Sequence, residues 1–143
     1  MKAKRVIIPA AVMGLGLCVY MAGFLPRKVT IEYGESDIYT QADMDGAVER
    51  IEEKFDGFTG CVLHSVEYGG DGAVTTDNLE RMNSLGKAKG YDEEFTQVIN
   101  FKSDFRAPLF GNPVLNPGWD YKDYQWWLAR SDGGEWVALT WGY

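Results

Sequence analysis

The sequence predicts an α+β fold behind one N-terminal transmembrane helix, with a long helix packed on a curved antiparallel sheet that ends in a C-terminal hairpin. Three observations predict it. Residues 6–25 form an uncharged run, VIIPAAVMGLGLCVYMAGFL, with basic residues on both sides. Apolar residues then recur at helical spacing between Tyr39 and Phe58. Two aromatic-rich segments, YQWWLARS and EWVALTWGY, flank Asp132-Gly133-Gly134.

The apolar run sets the organisation. A helix needs about 20 apolar residues to span a bilayer. A cleaved signal peptide has a shorter apolar region and small residues before the cut, whereas this run ends in Tyr20-Met21-Ala22-Gly23-Phe24-Leu25. Leu17 before Cys18, and apolar residues after it, argue against lipidation at that cysteine. Residues 1–28 are thus expected to be a membrane anchor with basic flanks, and residues 29–143 a single domain. Lys2, Lys4 and Arg5 outnumber Arg27 and Lys28, so a cytoplasmic N-terminus and an extracytoplasmic body are expected.

Charge narrows the partners. All 21 acidic residues follow position 28, where only 9 of the 14 basic residues remain, giving the body a formal charge of −12. Such a surface is repelled by nucleic acid, which is excluded as a partner. Cys18 and Cys61 fall in different compartments, so no disulfide is expected. One histidine and two cysteines give no zinc site. Asp92-Glu93-Glu94 and Asp120 to Asp123 lack the glycine and glutamate pattern of a calcium loop. No cofactor or metal is expected.

Within the body, Val29 to Tyr33 reads as a short strand or stiff tether. Met44, Ala47, Val48, Ile51 and Phe55 line one face of the long helix. Thr40 is its expected N-cap, with Asp43 in the capping-box position and Tyr39 and Met44 as the staple. Cys61 to Tyr68 reads as a strand. A shorter helix is expected near Asp77 to Leu85, capped by Thr76 or Asp77 and stopped by Gly86. A strand lies within Phe95 to Phe105, with Phe95, Ile99 and Phe101 on one face. Residues 106–123, with three prolines, carry no periodicity, and a loop of that length is usually functional or mobile.

The hairpin supplies the candidate contact residues. With a two-residue turn, one face holds Tyr124, Trp126, Leu128 and Arg130 with Val137, Leu139, Trp141 and Tyr143, a core face. If Asp132-Gly133 is the turn, Arg130 sits opposite Glu135. The other face is small and polar except for Trp127 and Trp136, which would then face outward. Exposed aromatics on a polar surface suggest a binding site for protein, peptide or saccharide. The competing expectation is that Trp119 and the proline-rich loop fold over that face. Asp104 or His64 could act as acid or base in a pocket, as in a small-molecule enzyme. Arg106 is the expected ion-pair partner of Asp104. A third possibility is a structural envelope protein that self-associates through the hairpin.

The segments GESDIYTQADMDGAVERIEEKF, SDFRAP and YQWWLARSDGGEWVALTWGY resemble a group of exported or membrane-anchored domains of Gram-positive bacteria. The resemblance covers residues 34–143 and implies export and a single domain. It implies no chemistry and no functional residues. The order of elements is also similar to cystatin-like and NTF2-like folds, which host binding modules and enzymes alike. The expected function is a membrane-anchored extracytoplasmic binding or sensing domain without catalytic activity.

Overall fold

The computed structural model describes residues 28–143; the helix expected over residues 6–25 lies outside them. The elements run β1 (Thr30–Glu32), α1 (Gln41–Phe55), β2 (Val62–Tyr68), α2 (Thr76–Ala88), β3 (Gln97–Arg106), β4 (Asp120–Arg130) and β5 (Val137–Gly142). A single 3₁₀ turn at Asp71–Ala73 precedes α2. The strands lie in sequence order in one sheet. β1 is parallel to β2, and the remaining pairs are antiparallel. The sheet is therefore mixed rather than antiparallel throughout, because α1 carries the chain back to the end where β1 began. Among the described residues no helix is long and apolar enough to cross a membrane.

The cap of α1 forms as its residues dictate. Thr40 Oγ1 accepts from the Asp43 N–H at 3.2 Å, and Asp43 Oδ2 accepts from the Thr40 N–H at 2.9 Å. Two orphan backbone donors are thereby satisfied. The five stripe residues of α1 are all buried. They pack on Leu63, Val66 and Tyr68 of β2, Ile99, Phe101 and Phe105 of β3, and Trp126 and Leu128 of β4.

α2 covers part of the opposite face, packing Met82 on Phe95, Val98, Ala129 and Leu139. Its cap is Thr75, whose side chain accepts from the Asn78 N–H, not Thr76 or Asp77. Nor does Gly86 end it: the helix continues to Ala88. Gly86 is buried, and a Cβ there would stand 2.6 Å from Phe95 Cε2. The glycine is required by packing, not by termination. Phe95 precedes β3 and belongs to this second core, so it does not share a face with Ile99 and Phe101.

The hairpin departs from its expected register. Residues 131–136 connect β4 to β5, so the turn is not a two-residue one. Trp127 pairs with Thr140, and Leu128 pairs with Ala138. Leu139 is thus the extra residue of a β-bulge, which reverses the alternation beyond it. Trp126 and Trp141 keep the α1 face as expected. Ala138 joins them, while Val137 and Leu139 move to the α2 face.

Two further register shifts face β3 near Asp104, one at His64 in β2 and one at Asp123 in β4. Asp123 adopts φ +53°, a left-handed conformation that is rare for a side-chain-bearing residue.

Candidate functional site

The three tryptophans expected to make contact are placed apart. Trp136 is 4% exposed. Its Nε1 donates to the Asp43 carbonyl at 2.8 Å. Its ring meets Tyr39 edge-on at 5.5 Å and lies 4.3 Å from the Arg130 guanidinium. Trp127 is half-buried on the other face, with the Arg81 guanidinium 4.7 Å over its ring. The exposed pair on one face does not form, because the bulge and the longer turn send the two rings to opposite sides. The proline-rich loop covers neither: α1 flanks one and α2 the other. Trp119 is 61% exposed, in the loop between β3 and β4.

Arg130 closes the Trp136 region. It donates to Asp43 Oδ1 at 2.7 Å and to Gln97 Oε1 at 2.6 Å. Glu135, its expected cross-strand partner, pairs instead with Arg50 at 3.3 Å. The Arg130 hydrogen bond, reinforced by the Thr40 backbone N–H, holds the Asp43 carboxyl below its ordinary range. Trp136 is thus an anchor of the core.

Asp104 serves the bulge. Its Oδ1 accepts from the Asp123 N–H at 3.0 Å, and its Oδ2 accepts from Lys122 Nζ at 3.1 Å. The first bond satisfies the backbone N–H of the left-handed residue opposite. Arg106 pairs with Asp120 through two 2.9 Å bonds, not with Asp104. The pairing depresses the Asp120 carboxyl. His64 is the extra residue of the β2 bulge. Cys61 is half-buried and free, and burial raises its thiol pKa. No group of three metal-ligating side chains occurs among the described residues.

The accessible feature is a groove beside β5. This strand pairs with β4 alone among the described residues, so its other edge presents backbone donors and acceptors. Two clefts adjoin that strand. The first, about 280 Å³, is lined by Lys54, Tyr91, Glu135 and Val137 among others. The second, about 240 Å³, is lined by Phe58, Asn112, Leu115, Tyr124 and Trp141 among others. The half-buried Trp141 packs on Trp126 with ring centroids 5.7 Å apart. The ammonium groups of Lys54 and Lys89 approach it to 5.9 and 5.5 Å, within reach of a cation–π contact. The groove thus passes from charged to aromatic along one strand. Alternation alone puts Trp141 in the core; only the strand order makes it the floor of a groove.

Compared with family models, curated proteins and solved structures, the chain matches none.

Proposed function

We propose that the chain is a membrane-anchored extracytoplasmic binding domain, without catalytic activity, that takes an extended polypeptide segment along β5. The open β5 edge beside Trp141 carries this reading. An added strand gains main-chain hydrogen bonds from such an edge, and adjoining clefts select alternate side chains. One cleft suits a polar or charged side chain between Lys54 and Glu135, the other an apolar or aromatic one between Phe58 and Trp141. The 20-residue apolar run supports the anchor, and the bias of basic flanks supports a body outside the cytoplasm.

One experiment tests both halves. Cysteines placed at Tyr91, in the groove, and at Ser84, on the exposed side of α2, are labelled in intact cells with a membrane-impermeant photoactivatable maleimide. Labelling at both positions is expected, with a discrete polypeptide adduct from position 91 only, weakened by Lys54→Glu. Labelling at neither position refutes the external orientation. Labelling at both without a position-specific adduct refutes the groove.

A further inference from the structure

We infer that the loop joining β3 to β4, residues 107–119, is a lipid-contact surface that seats the base of the domain in the headgroup zone of the bilayer. This rests on the anchored reading above and adds to it an orientation and a second membrane contact.

Four of the eight exposed large hydrophobic residues among those described belong to the loop. Leu109 is 49% exposed, Phe110 88%, Val114 87% and Trp119 61%. No residue from 107 to 119 is charged, in a body with 21 acidic side chains. Ordinary surface loops are polar. A contiguous uncharged stretch with outward aromatic and aliphatic side chains marks a contact site, and tryptophan beside tyrosine is the signature of the membrane interface.

Topology fixes which end of the sheet carries it. β3 ends at Arg106 and β4 begins at Asp120, which pair with each other and, through Arg106, with Val62 at the start of β2. β1 is parallel to β2, so the start of β1 lies at that same end. Val29 lines a cleft with Cys61 and Val62. Val62 and Gly60 in turn line a cleft with Pro108, Leu109 and Phe110. Tyr121 and the 81% exposed Tyr143 stack at this end as well.

Chain length supplies the distance. Only Pro26, Arg27 and Lys28 separate Leu25, the last residue of the apolar run, from Val29. Four extended steps reach roughly 14 Å at most. The headgroup zone is itself about 5–8 Å deep per leaflet. If residues 6–25 span the bilayer, the base of the sheet is held against that zone, and the loop has lipid as its nearest neighbour.

The full chain, reconstituted in phosphatidylcholine vesicles, tests the inference by flotation and by quenching with dibromo-phosphatidylcholine. All five tryptophans lie at or beyond position 119, so none sits in the apolar run. Trp126 and Trp136 are buried and Trp127 and Trp141 half-buried, which leaves Trp119 as the most accessible ring. The expected result is flotation with strong quenching by shallow bromines, largely lost in Trp119→Phe and reduced in Phe110→Ser/Val114→Ser. Flotation with equal quenching in wild type and Trp119→Phe overturns the inference and leaves the anchor standing. The inference falls equally if Trp119 is unquenched, as when the loop packs against a second copy. Failure to float removes the anchor and this inference together.

Discussion

The two faces of the sheet are built on different terms. The α1 face is a continuous aromatic core: Phe105 alone meets Phe55, Phe58, Tyr121 and Tyr124 with ring centroids between 4.9 and 5.8 Å. The α2 face has a small core around Met82 and Phe95. Beyond it lies a polar ladder in which Lys102 sits between Glu67 and Gln125, and Asp104 is bonded to Lys122. One helix closes most of its face and the other closes only part. Stability should therefore reside mainly under α1, with tight but local packing under α2.

The strongest challenge to that contrast is Phe105→Ala. Phe105 has no exposure, and deleting a buried phenyl ring costs about 3–5 kcal/mol. Denaturant unfolding should register a loss of that size. A loss below about 1 kcal/mol would show that the aromatic core is not where the stability lies.

Next in size is the polar seal at the far end of α1. Asp43→Asn removes the charge from both the Arg130 bond and the cap, and a hydrogen bond to a charged group contributes about 1.5–3 kcal/mol. The carboxyl is depressed in the folded state. Its contribution is therefore full above the ordinary carboxylate pKa of about 4 and disappears as the pH falls through the depressed value. The stability gap between wild type and variant should narrow in acid. A gap independent of pH would assign the effect to shape rather than charge.

The smallest effect sharpens the comparison on the other face. Gly86→Ala gains helix propensity of about 1 kcal/mol but drives a methyl into Phe95, and such overpacking costs about 1–3 kcal/mol. A net loss of about 1 kcal/mol is expected in thermal melts. Net stabilisation would mean that Phe95 yields and that the α2 core is loose.

Much of the α1 face can be read from the sequence because its causes are local. Five apolar residues at helical spacing and a threonine three positions before an aspartate suffice to define the helix, its cap and its buried stripe. The hairpin can be recognised but not its register. A single extra residue at Leu139 reverses every assignment beyond it, and nothing in EWVALTWGY marks that position. Simple alternation misplaces Trp136 for this reason, whereas Trp127 keeps its expected face and is half-covered there by α2. Gly86 misleads because a glycine that ends a helix and one that admits a ring look identical in sequence. Phe95 completes that contact from nine positions away. The β5 groove depends on strand order, a property of the whole sheet. The exposed loop is different. Its lack of charge is plain in the sequence, but it means little until β1 and β3 place it at the end where the chain leaves the apolar run.

Asp43 belongs to two structures at once. Its Oδ2 and backbone N–H complete the first turn of α1, while its Oδ1 and carbonyl receive Arg130 and Trp136, 87 and 93 positions later in the chain. Helix initiation and hairpin docking thus share one residue. Contacts of such separation require closing a long loop first, which slows folding. The seal on α1 therefore closes only once β4 and the turn that follows it have been laid down beside the helix.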